Sequence, residues 1–90
     1  QVQVALALSD KGELLADPEV ELTGIPETNA AGENMSDIVY DAVLETVENL
    51  PRARRRDADA IVESVSRAVR GTIAREWNKK PICHVQVLTV

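Results

Sequence analysis

The sequence predicts a small α+β domain: a three-stranded mixed sheet, ordered ββααβ along the chain, with two helices packed on one face. Three observations predict it. Residues 1–8 alternate strictly between large apolar and small or polar side chains, two stretches of helical periodicity fill the middle, and a second β-type segment closes residues 82–90. With 90 residues there is room for one domain, and a chain of that size buries only about 60–65% of its unfolded surface.

In the first segment Val2, Val4, Leu6 and Leu8 fall on one face and Gln1, Gln3, Ala5 and Ala7 on the other. Ser9, Asp10, Lys11 and Gly12 supply turn chemistry, and residues 13–16 are expected to lead back as the start of a second strand. Pro18 has no N–H and should sit at an edge or a bulge; the strand that follows reads as an edge strand, with Val20 and Leu22 inward and Glu19, Glu21 and Thr23 toward water. Residues 24–34 read as a loop broken by Pro26 and Gly32, and Asn34 or Ser36 can cap the helix that follows.

The first helix shows its buried stripe as Met35, Ile38, Val39, Ala42, Val43, Val47 and Leu50, with acidic residues near its positive end, and Pro51 stops it. A second helix begins at Asp57 or Asp59. Its stripe is Ala58, Ile61, Val62, Val65, Ala68, Val69, Thr72, Ile73 and Trp77, while Glu63, Arg67, Arg70 and Arg75 form a solvated face. Gly71 costs such a helix about 1 kcal/mol relative to Ala, which suggests close packing there. If the first strand runs up and the second down, the helical hairpin returns the chain so that the third strand lies parallel beside the first, in the order 2-1-3. The helices then cover the face of Val2, Val4, Leu6, Leu8, Val20, Leu22, Val85 and Val87. Gln1, Gln3, Ala5, His84, Gln86 and Leu88 are left on the other face as interface candidates.

Charge divides the chain. Residues 1–50 hold eleven acidic groups and one base, Lys11, whereas residues 51–90 hold nine bases and four acids, giving the net charge of -5. This pattern excludes a uniformly basic nucleic-acid binder but allows a local phosphate-contacting patch. Arg52, Arg54, Arg55 and Arg56, with Lys79 and Lys80, are the candidates for such RNA contact; the alternative is a basic loop paired with acidic surface. Only Tyr40 and Trp77 are aromatic, too few for base stacking.

Catalytic raw material is missing. His84 is the single histidine, and its neighbour Cys83 projects to the opposite side of a strand, so the two can neither share a metal nor form a nucleophilic pair. No glycine-rich phosphate loop or glycine-framed serine occurs, and the carboxylates sit where turns and helix starts explain them. The expectation is no catalytic residue, no metal and no cofactor in this chain. A lone cysteine suits a reducing, cytoplasmic setting, and no apolar run of about 18 residues is present to span a bilayer. Gln1 is not an initiator methionine and a strand begins at once, so the chain reads as one domain, residues 1–90, excised from a longer protein.

The order and spacing of several short pieces carry a resemblance: Val4-Ala5-Leu6-Ala7-Leu8, the turn with Gly12, Leu14-Leu15-Ala16, Pro18-Glu19-Val20 and Gly24, the two helices, then Lys79-Lys80-Pro81 leading into Val85-Gln86-Val87-Leu88-Thr89-Val90. Together they resemble the C-terminal domain of ribonuclease J, a bacterial ribonuclease of the metallo-β-lactamase and β-CASP type. The chain departs from that pattern at Leu22-Thr23-Gly24-Ile25, where the family commonly carries a basic and an aromatic group. The resemblance implies a parent enzyme that degrades and processes RNA as an endonuclease and 5′-to-3′ exonuclease, with zinc or another divalent metal. Its catalytic domains would lie upstream of this C-terminal domain. For the domain itself the resemblance implies support of self-association, as a homodimer or higher, or docking against the catalytic body. An accessory RNA-binding module and a docking domain of an unrelated protein are the alternative readings.

Overall fold

The computed structural model of the chain describes residues 1–77 and 81–90. Its elements follow the order β1 (Val2–Leu8), β2 (Glu19–Leu22), α1 (Met35–Asn49), a 3-10 turn (Arg54–Arg56), α2 (Ala58–Trp77) and β3 (Cys83–Thr89). The sheet order is β2-β1-β3, with β1 antiparallel to β2 and parallel to β3. Val2 lies opposite Leu22 on one side and Cys83 on the other, so the central strand sets the register of both neighbours.

Alternation along β1 decides which face the helices take. Val2, Val4, Leu6 and Leu8 are all 3% exposed or less, and they meet Met35, Val39, Val43 and Val47 of α1 and Ile61, Val65, Val69 and Ile73 of α2. Each helix contributes every fourth residue, close to the 3.6-residue turn that keeps one stripe of an amphipathic helix on the sheet. Val20, Leu22, Val85 and Val87 pack against the margins of this cluster. Among the described residues the buried core holds no aromatic ring; apart from Met35, branched aliphatic side chains fill it, each worth about 1.5–3 kcal/mol when fully buried.

Both helix starts are capped by side chains. Asn34 Oδ1 accepts from the Asp37 N–H at 3.1 Å, and Asp57 Oδ1 accepts from the N–H groups of Asp59 and Ala60 at 3.0 and 3.3 Å. Where the helices join, the chain passes through the 3-10 turn that follows Pro51.

Four local expectations are corrected. The return from the first turn is not continuous strand: Leu14 makes only an isolated bridge to Leu8, and β2 proper begins after Pro18. Residues 28–34 are more ordered than a plain loop. Thr28 bridges Asn34, and Asn29 Oδ1 accepts from the N–H groups of Ala31 and Glu33 at 3.0 and 2.9 Å. Gly71 is exposed, and a Cβ built there meets nothing within 4 Å, so no close packing accounts for it. Ala58 is exposed as well, because the helix has only just left its cap.

Gly12 shows the opposite of Gly71. It is buried with φ +82°, and a Cβ there would stand 2.6 Å from Arg55 Cβ and 2.9 Å from the Arg55 carbonyl oxygen. The β1 turn and the 3-10 turn are therefore packed backbone to backbone. Toward the other end of α2, Asn29 Nδ2 donates to Glu33 Oε1 at 3.1 Å and Glu76 Oε2 at 2.9 Å, tying the 28–34 turn to α2.

Candidate functional site

The face of the sheet away from the helices is built in rows set by strand register. Glu21, Gln3 and His84 stand side by side, then Glu19, Ala5 and Gln86, then Ala7 and Leu88. All six interface candidates from the sequence, Gln1, Gln3, Ala5, His84, Gln86 and Leu88, meet on this face or at its rim because odd positions of β1 align with even positions of β3. An open depression runs over it and round to the helix side, lined by Gln1, Gln3, Ala5, Glu19, Glu21, His84 and Gln86 and also by Val62, Ser66, Cys83 and Val85, and a second, more apolar hollow reaches Ala7, Ala16 and Leu88.

Two features of this face go beyond the sequence, which turns Glu19 and Glu21 toward water without setting them beside Gln3 and Ala5. Glu19 and Glu21 give its β2 side a negative margin, which follows from the same alternation once the antiparallel register is known. In addition, Leu15 is 54% exposed beside it, its N–H bonded to the Ala7 carbonyl at 2.9 Å. With Leu88 at 63%, an acidic margin thus flanks a neutral, partly apolar centre. Such a surface suits protein contact better than phosphate contact.

Cys83 and His84 diverge as alternating strand residues must: the thiol is half-buried on the helix side, whereas the imidazole is exposed on the outer face. Burial raises the Cys83 pKa, opposed by a hydrogen bond with Ser66 and by the charge of Arg70. The residues present do not fit a metal centre: among the described residues no three of the His, Cys, Asp and Glu side chains come together to hold an ion.

The arginine run occupies a separate place, at the end of the helical hairpin. Arg52, Arg54 and Arg56 are exposed, but Arg55 turns inward against Gly12, with its Nε buried and without a hydrogen-bond partner. Among the described residues the one ion pair is Arg67–Glu63 at 2.9 Å, so Arg52, Arg54 and Arg56 form no ion pair with a described acidic side chain. Lys79 and Lys80 lie outside the described residues. No described helix is long and apolar enough to cross a membrane.

Comparison with known proteins bears on the family of the chain. The model of the family described as "Ribonuclease J C-terminal domain" matches residues 1–90. A ribonuclease J from Sinorhizobium meliloti (strain Sm2011 / Rm2011 / 2011) is 44% identical over 89 residues, which cover 99% of this chain and 16% of that protein. The chain thus spans about a sixth of the length of the curated relative it matches. Because that family model matches residues 1–90 and the relative is 44% identical over 99% of the chain, the chain belongs to the ribonuclease J C-terminal domain family.

Proposed function

We propose that this domain supports the assembly of a ribonuclease J-type enzyme that degrades and processes RNA, while RNA cleavage is carried out by other domains of the longer chain. The observation that carries this reading is the sheet face left bare by the helices, where Gln3, Ala5, His84, Gln86 and Leu88 form one contiguous surface. A face so composed, partly apolar at its centre and acidic along one margin, suits a second protein surface: another copy of the domain or the catalytic body. The divalent-metal chemistry of such an enzyme has no counterpart among the described side chains of this domain, and no step is assigned to them. Sedimentation of the ribonuclease with and without the domain tests the proposal. Loss of the higher oligomer on deletion is expected; an unchanged oligomeric state overturns it.

The exposed and unpaired Arg52, Arg54 and Arg56 favour a second role, weak contact with the phosphates of single-stranded RNA. If all three touch phosphate, replacing them with alanine lowers affinity at low salt and reduces the slope of log K against log salt by about 2, at roughly 0.7 per contact. Affinity and slope indifferent to the substitutions overturn this role.

A further inference from the structure

The two edges of the sheet are not alike. β2 is a four-residue strand preceded by Pro18 and bears Glu19 and Glu21, a combination that discourages further pairing. β3 has seven residues, Cys-His-Val-Gln-Val-Leu-Thr, with no proline, no glycine and no carboxylate, lysine or arginine. It is the last strand in the sheet order, and its described neighbours are β1 and α2.

Two hydrogen bonds show which backbone groups β3 leaves free. The Val2 N–H donates to the Ile82 carbonyl at 2.8 Å, and the Val90 N–H donates to the Leu8 carbonyl at 2.9 Å. In a parallel ladder, successive residues turn their N–H and C=O groups to opposite sides. Because positions 82 and 90 both address β1, so do the even positions between them. The groups of Cys83, Val85, Val87 and Thr89 therefore point away from the sheet. The β1 side agrees: Gln1 and Ala7, at odd positions, offer their carbonyls to Thr23 and Leu15 on the β2 side.

We infer that β3 is a homotypic pairing strand: two copies of the chain join their free β3 edges antiparallel, about a two-fold axis through Gln86, into one continuous sheet. The inference rests on the self-association reading above and adds to the bare face a second contact, at the sheet edge beside it. With the axis at Gln86, Val85 pairs with the partner's Val87 and Cys83 with the partner's Thr89. These are the positions whose N–H and C=O groups point outward, so each pair exchanges both bonds. His84 then faces the partner's Leu88, and Gln86 faces the partner's Gln86. No like charges oppose each other, and the amide side chains on the axis can bond to one another. On the helix side, the half-buried Cys83, Val85 and Val87 continue the core layer toward the edge, and Cys83 and Val85 share an open groove with Val62 and Ser66. A β2–β2 contact would instead crowd four glutamates onto one seam.

Amide exchange measured by NMR on the 90-residue chain, dilute and concentrated, tests the geometry directly. The amides of His84, Gln86 and Leu88 should be protected at every concentration, those of Cys83, Val85, Val87 and Thr89 only as the chain associates. Association without protection of the odd set overturns the inference. A charge exchange tests the axis. Gln86→Glu and Gln86→Lys, each alone, should weaken self-association about tenfold through like charges set opposite one another, and an equimolar mixture should restore it. Circular dichroism should show both variants folded, since Gln86 is exposed. Failure of the mixture to recover overturns the axis. If deletion of the domain dissolves the ribonuclease oligomer while neither test moves, the assembly role stands and the β3 seam falls.

Discussion

The two faces of the sheet are made from the same alternating strands and meet opposite fates. On the helix side, Val2, Val4, Leu6 and Leu8 are sealed; on the other, Gln3 and its neighbours Glu21 and His84 stay open to solvent. The difference teaches that parity alone separates the core from the exposed surface here. One residue along β1 serves the core and the next serves the surface, so each can be perturbed without the other.

The largest expected break comes from the sealed face. Leu6→Ala should lower the unfolding free energy by about 2–5 kcal/mol in urea titration, as deletion of a buried leucine does; a loss below about 1 kcal/mol would mean the helices do not close over β1. Gly12→Ala comes next, since it meets both the left-handed backbone and the Arg55 contact. Gly24→Ala is the control, with φ +71° and no neighbour within 4 Å, and should cost only the conformational part, about 1–2 kcal/mol. Equal costs for the two would show that the Gly12–Arg55 approach contributes nothing.

On the open face, Ala5→Lys should change stability by no more than about 0.5 kcal/mol while weakening self-association in sedimentation. A large stability loss would erase the distinction between the faces. The smallest effect is a pH dependence from the helix layer. The Tyr40 pKa is raised above 10.0, first by loss of solvent, then by a hydrogen bond with Asp17 and the charges of Asp17 and Asp41. The fold thus favours the neutral phenol. That stabilisation is complete below pH 10 and is lost as pH rises through the higher folded value. Tyr40→Phe should flatten the alkaline limb of a stability–pH curve, and an unaltered limb would remove Tyr40 from the account.

Much of this arrangement was legible in the sequence, because strand parity and helix periodicity are local signals. Residues 1–8 displayed both faces of β1, and the stripes of Met35 to Val47 and Ile61 to Ile73 pointed to the surface each helix buries. The parallel pairing of β1 with β3 followed from connection geometry alone. What could not be read were contacts between residues distant in sequence. Nothing local announces that Gly12 lies against Arg55, or that Asn29 reaches Glu76. For this reason Arg55 read like its exposed neighbours although the turn packing draws it inward. Gly71 misled in the other direction, since a glycine within a helix carries no sign of whether anything approaches it. The open face was legible in composition, but its acidic margin required the β1–β2 register.

Because β1 lies beside β3, the sheet joins residues from opposite ends of the described chain, with Val2 opposite Cys83. During synthesis β1 and β2 emerge early, whereas the parallel partner of β1 appears only after both helices have been made. Until then the Ile82-bonding side of β1, with its run of valines and leucines, waits unpaired. Folding of this domain is therefore governed by a late, long-range closure, slow for its size. Throughout that interval the strand most in need of shelter is the one at the centre of the finished sheet.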